Sequence, residues 1–276
     1  MLYRTLATSA LAVMVATGAN ALTVTPTEDA TTLANSILGT GVTISSATYT
    51  SNDGVNNLSA GGFSDGGVIG ISDGIIITSG TAASAVGPNS ADNTSGPGSQ
   101  SSLKIEFETQ TGDLFFNYVW ASEEYNEFVN SSFNDTFDFL LSGPGITGTE
   151  NIALIPGTNQ PVEIDTVNNN VNSQFYNDND FGDFGGNPPF DIEYDGFTDV
   201  LLASATGLTI GETYTLEMIV SDTGDSAFDS AVFIQGGTFG GQPPTPNPGV
   251  VPLPASAPLI LAGLGALGLM RRRKKS

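Results

Sequence analysis

The sequence predicts an all-β protein: a two-sheet β-sandwich of jelly-roll type, with one short N-terminal helix and a C-terminal apolar helix. Three observations predict it. Beyond residue 40, apolar residues recur with a period of two. Turn signals punctuate the runs: Asp53-Gly54, Asp65-Gly66, Asp73-Gly74, Gly143-Pro144-Gly145 and Asp195-Gly196. The span 22–235 is of a size that one all-β domain commonly fills, and no internal repeat of solenoid length interrupts it.

Taken in chain order, the helix comes first. Asp29 or Thr31 can cap it, Leu33, Ile37 and Leu38 supply its apolar face, and Gly39 stops it. Strands are then expected at Val42–Thr50, Gly74–Thr78, Leu114–Trp120, Thr136–Leu141, Ile152–Ile155, Thr198–Ala203 and Asp229–Ile234. Two more show the clearest alternation. Leu103, Ile105 and Phe107 alternate with Lys104, Glu106 and Glu108, while Tyr214, Leu216, Met218 and Val220 alternate with outward Thr215 and Glu217. Two segments of low complexity, Thr81–Ser102 and Asn168–Pro189, are expected to be long surface loops.

Composition excludes whole classes of chemistry. The 276 residues contain neither Cys nor His. Disulfides, thiol catalysis, Ser-His-Asp sites and zinc sites with Cys or His ligands are therefore out, as is the acylated cysteine of a lipoprotein. All 29 acidic residues lie between Leu22 and Asn247, with Lys104 as the single cation there, a formal charge of −28 for that segment. Such a surface repels phosphate backbones, so no nucleic acid is expected as partner. It also repels itself, which bound divalent cations, ambient salt or wide spacing of the carboxylates would relieve.

The two ends read as addresses. Residues 1–21 have the pattern of a secretory signal peptide: Arg4, a largely apolar stretch from Leu6 to Gly18, and the small residues of Ala19-Asn20-Ala21. Signal peptidase would cut between Ala21 and Leu22. The bland alternative is a buried N-terminal helix. At the other end, 236–250 (Gly236 to Gly249 in particular) reads as a Gly/Pro linker without the means to pack a core. Residues 251–276 follow, with Val251-Pro252-Leu253-Pro254-Ala255, an apolar run to Met270, and Arg271-Arg272-Arg273-Lys274-Lys275. As a helix the apolar run would reach about 24 Å, short of but near the ~30 Å hydrocarbon core. The basic cluster would keep the C-terminus cytoplasmic. Motif, short apolar helix and basic tail resemble the bacterial PEP-CTERM sorting signals, in the VPLPA-CTERM variant. The resemblance implies an exosortase that cuts near the motif, transient anchoring in the inner membrane, and release to the cell surface or extracellular matrix of a Gram-negative bacterium. A permanent single-pass anchor is the alternative.

Two acidic clusters are candidates for metal binding. Ser122-Glu123-Glu124 follows an apolar strand and could open a short helix; Asn134-Asp135 lies a little further on. Asp222, Asp225 and Asp229 surround a Gly turn between two strands. Calcium takes about 6–8 hard oxygens, so Asp222, Asp225, Asp229, Glu123, Glu124 and Asp135 are the expected Ca2+ ligands. The spacing is not that of an EF-hand, and Asx-turns that merely shape a hairpin are the simpler reading. Asp222-Thr223-Gly224 matches the short aspartic-protease signature, but such enzymes need two carboxylates sharing a proton and this signature occurs once.

Several blocks resemble the choice-of-anchor L domain: Ser122 to Val129 (SEEYNEFV), Phe133-Asn134-Asp135, Leu141 to Gly145, Asn151 to Thr158, Tyr194 to Thr198, Gly74 to Gly80, and Asp225 with Asp229 to Ile234. The resemblance runs over about residues 30–236. It implies a surface-displayed domain and supplies no reaction. The expectation is thus an exported, non-enzymatic surface or matrix protein, calcium-stabilised, in contact with exopolysaccharide or cell-surface glycans. A secreted carboxylate-dependent polysaccharide hydrolase, with two acids about 5–10 Å apart, is the alternative, and a passive acidic coat component a third.

Overall fold

The computed structural model describes residues 21–51, 58–90, 100–223 and 227–245. Among these, one α-helix and thirteen strands form two antiparallel sheets. The first element is β1 (Thr23–Pro26), followed by α1 (Ala30–Ile37), β2 (Val42–Ser51), β3 (Ala60–Ser64), β4 (Gly74–Thr78), β5 (Gln100–Thr109) and β6 (Asp113–Ser122). Then come β7 (Thr136–Ser142), β8 (Glu150–Asn151), β9 (Tyr176–Asp178), β10 (Gly196–Thr198), β11 (Leu201–Thr206), β12 (Thr213–Ser221) and β13 (Ser230–Gln235). One sheet runs β1-β3-β4-β13-β6-β10-β9, with β11 also on β6; the other runs β2-β5-β12-β7-β8.

The period-two pattern sets which side chains meet. Leu103, Ile105 and Phe107 of β5, Phe137, Phe139 and Leu141 of β7, and the four inward residues of β12 face Leu114, Phe116, Tyr118 and Trp120 of β6 in one core. Trp120 stacks on Phe137 with ring centroids 4.5 Å apart, joining the two sheets at one end. The sheet containing β6 is buried on its other face as well. There Ile76, Val119, Ala121 and Phe233 pack with Leu22, Ile69, Ile71, Ile192 and Tyr194. Two-sided burial explains why β4 (GIIIT) and β13 (SAVFIQ) read as apolar runs rather than alternations. The helix is capped as expected: Asp29 Oδ1 accepts a hydrogen bond from Thr32 N at 2.7 Å, and Leu33, Ala34 and Ile37 enter the main core.

Several expectations are corrected. The β6 strand continues through Ser122, and 123–130 forms turns in place of a short helix. Ser122 is drawn into the sheet by its β13 partner, Ser230. Ile152, Ala153 and Ile155 are buried, but 152–155 is not a strand. Its backbone bonds to the 160–162 segment across a tight turn (Ile155 N to Gln160 O, 2.9 Å; Val162 N to Ala153 O, 3.0 Å). The expected strand Thr198–Ala203 is split into β10 and β11: the pairing with β6 is interrupted where Trp120 N donates to Thr198 Oγ1 at 3.0 Å, while Asp199 N continues the pairing on the β9 side at Phe175 O (2.8 Å). The Ser-rich segment from Thr81 is a packed connection at its start, with Ala82 and Ala85 fully buried, and at its end it already belongs to β5. The Gly/Pro run starting at Gly236 is not all linker. Phe239 is fully buried against Phe107 and Phe116 (centroids 5.3 and 5.7 Å), and Gly240 exchanges hydrogen bonds with Phe115. The C-terminal apolar helix lies outside the described residues; among those described, no helix is long and apolar enough to cross a membrane.

Candidate cation-binding end of the sandwich

Two connections cross between the sheets at the same end. One is 123–135, from β6 to β7; the other is 222–229, from β12 back to β13. Strand pairing brings their roots together. Ser122 is opposite Ser230 across β6 and β13, and the ladder extends one step further, Glu123 N donating to Asp229 O at 3.0 Å. Thr136 is opposite Ser221 across β7 and β12, so Asp135 and Asp222 are the next positions outward. Thr223 N donates to Asp135 Oδ1 at 2.8 Å, closing that side.

Asp135 and Asp222 are thereby neighbours on one side, and Glu123 and Asp229 on the other. Asp135 and Glu124 are fully buried, Glu123 and Asp229 nearly so, and both carboxylate oxygens of Asp222 are shielded from solvent. Burial, then the nearby charges of Asp222 and Asp229, push the Asp135 carboxyl up to about 8, against the partial relief of the Thr223 N–H and the Ser230 hydroxyl. Tyr194 is raised well above its ordinary value by burial, and Asp229, Glu123 and Glu193 add to the effect. Ser230 Oγ sends its proton to Ser122 Oγ at 2.7 Å, and Ser122 Oγ also accepts from Glu124 N at 2.9 Å. No cation offsets this charge among the described residues: Lys104, the single basic residue there, is paired with Glu217 at 3.3 Å. Asp225 lies outside the described residues, as do Val251, Pro252, Leu253, Pro254, Ala255, Arg271, Arg272, Arg273, Lys274 and Lys275. Leu22 is the first buried residue after the exposed Ala21.

A second acidic group adjoins the first, and sequence reasoning missed it. Carboxylate oxygens of Glu127, Asp180 and Asp195 lie within 4.8 Å of one another. Asp195 precedes β10, whose Gly196 is paired with Ser122, so this group flanks the first across β6. Asp180 Oδ1 accepts from Gly182 N and Asp183 N at 2.6 and 3.0 Å, and Asp195 Oδ1 accepts from Asn89 Nδ2 at 2.6 Å. The signal was Asp178-Asn179-Asp180-Phe181-Gly182-Asp183, alternating oxygen donors around a Gly, inside the segment read only as a polar loop. The aromatic residues of that loop mostly pack: Tyr176 lies on the buried Tyr125 at 4.7 Å, while Phe184 stays exposed. Tyr125 donates from its hydroxyl to Val167 O at 2.8 Å, so the SEEY turn is pinned from within.

The family model of the choice-of-anchor L domain matches residues 23–240, and that of the PEP-CTERM protein-sorting motif matches residues 250–274. No curated protein and no solved structure matches the chain.

Proposed function

This chain belongs to the choice-of-anchor L domain family and ends in a PEP-CTERM sorting motif, and from that premise we propose that it is a non-enzymatic contact protein of the cell surface or extracellular matrix. The sorting motif indicates export to the cell envelope and surface and implies recognition by an exosortase. The observation that carries the proposal is the adjacency of the two matches. The motif begins ten residues after the domain ends, so what reaches the surface is the sandwich itself. Anchoring in the inner membrane is transient in this reading, and the exosortase releases the body by cutting near Val251–Ala255.

The partner class follows from charge. A body of formal charge −28 repels anionic exopolysaccharide and cell-surface glycans. Contact therefore runs through neutral sugars or through divalent cations shared with the matrix, and calcium stabilises the acidic loops. Glycoside hydrolysis would need two carboxyl groups on the wall of a cleft. Asp135, Glu123, Glu124 and Asp229 are instead buried at strand ends, which supports a structural role for them.

Mass spectrometry of the protein recovered from the matrix tests the sorting step. The expected C-terminus lies at or near Val251–Ala255. An intact Met270-Arg271 junction on the surface protein would overturn release and favour a permanent anchor. Retention of the protein on native matrix in calcium, and its elution by chelator, tests the contact; equal retention in both would remove the ion-bridged mode.

A further inference from the structure

We infer that Glu127, Asp180, Asp195 and the amide oxygen of Asn89 form a divalent-cation site, filled by Ca2+, that ties three connections together at the β9–β10 edge of the sheet. Asn89 lies between β4 and β5, Glu127 between β6 and β7, and Asp180 and Asp195 between β9 and β10. The inference deepens the calcium clause of the proposed function and rests on it. Its test reads ion binding by the isolated chain, so its failure is distinguishable from a failure of export, release or matrix contact.

Three observations carry it. First, the carboxylate oxygens of Glu127, Asp180 and Asp195 lie within 4.8 Å of one another. Two oxygens bound to one Ca2+ at roughly 2.3–2.6 Å sit at most about 5 Å apart, whereas around Mg2+ the limit is about 4.2 Å. The spacing suits the larger ion. Second, Asn89 is 2% exposed, and its amide head is set against this group. Nδ2 donates to Asp195 Oδ1 at 2.6 Å and to Asn179 O at 3.0 Å. Oδ1, on the same head, is shielded from solvent and receives no hydrogen bond from any described residue. Asn179, buried beside it, shows the contrast: its Oδ1 accepts from Phe190 N, and its Nδ2 donates to Ile192 O and Tyr194 O. A buried amide oxygen left without a donor is costly, and a cation held by Asp195 would satisfy it. Third, Asp180 and Asp195 are buried while Glu127 is exposed. An ion can enter from solvent on the Glu127 side, and water can complete the about 6–8 oxygens that Ca2+ takes.

The test uses the full-length chain in detergent, stripped with EGTA and then titrated with Ca2+ or Mg2+ by calorimetry. About 150 mM NaCl screens diffuse attraction of cations to the acidic surface. Ca2+ should bind, and more tightly than Mg2+. At a hundredfold excess of Ca2+ over its Kd the thermal midpoint should rise by about 5–10 °C.

Glu127→Gln alters an exposed side chain in a turn and leaves the core alone. It should weaken Ca2+ by at least about tenfold, with an unchanged midpoint in EGTA. Glu212→Gln removes the same charge from the exposed connection between β11 and β12 and should bind as the parent does. Asn89→Asp places a carboxylate against Asp195. Its midpoint should fall in EGTA, and Ca2+ should raise it further than it raises the parent's. Absence of bound Ca2+ together with an unmoved midpoint in the parent would overturn the site. So would parent-like affinity in Glu127→Gln, an equal loss in Glu212→Gln, or a gain from Ca2+ in Asn89→Asp no larger than the parent's. If Asn89→Asp fails to fold, the comparison of Glu127→Gln with Glu212→Gln still decides.

Discussion

Asp138 and Gly74 show how single positions are tuned by what surrounds them. Asp138 sits on β7 and accepts from Asn151 Nδ2 at 2.6 Å, yet burial raises its pKa, and the Asn151 bond only partly offsets this. A carboxyl whose folded pKa lies above its unfolded one favours the fold below the unfolded value, near 3.9, and loses that contribution as pH rises through the folded value. Asp138→Asn should therefore match the parent's thermal midpoint below about pH 3.9 and exceed it at neutral pH, with calcium held constant. Equal midpoints at both would contradict the burial argument. Gly74 is constrained by space as well as conformation. Its φ is +152°, and a Cβ there would lie 1.9 Å from Ile234 O in the neighbouring strand. Gly74→Ala should cost more than about 3 kcal/mol by denaturant unfolding. Gly145→Ala should cost only about 1–2 kcal/mol, because its φ of +85° is unfavourable but a Cβ meets nothing within 4 Å.

Among the elements, the long alternating strands were legible in the residues and the short ones were not. The alternation in β5 and β12 is an alternation of burial, and the β4 strand has its expected bounds, Gly74–Thr78. By contrast, β3 (AGGFS) carries no apolar period; it is a strand because β1 and β4 take up its backbone on both sides. The 236–241 segment was misread for a related reason. Its glycines suggested a spacer, but Gly39 and Gly240 allow the close backbone approach that seats Phe239 in the core, with Gly39 N bonded to Phe239 O at 2.9 Å. Phe239→Ala should cost about 3–5 kcal/mol. Truncation after Gln235 should leave the body more protease-sensitive than truncation after Thr245. Equal resistance of the two would return the segment to the status of linker.

For the whole molecule, charge dominates. With one described cation among so many carboxylates, self-repulsion opposes compaction. In chelator, raising NaCl from about 10 mM to 150 mM shortens the Debye length from roughly 30 to 8 Å, so the thermal midpoint should rise. In saturating Ca2+ the same change in salt should matter less. A salt response unaffected by Ca2+ would mean that the repulsion is spread over the surface and not concentrated at the crossover end.

The residues alone determined that the chain is all-β, that it lacks thiol and imidazole chemistry, that its body is acidic, and that its C-terminal end carries a sorting motif. These follow from local pattern and composition, which need no partner to be read. Only the tertiary structure decided which carboxylates meet. Asp135 and Asp222 are far apart in the chain and become neighbours because β7 pairs with β12; Glu123 and Asp229 do so because β6 pairs with β13. Strand order and register are settled by which apolar faces fit together across the core, and that information is not contained in any one segment.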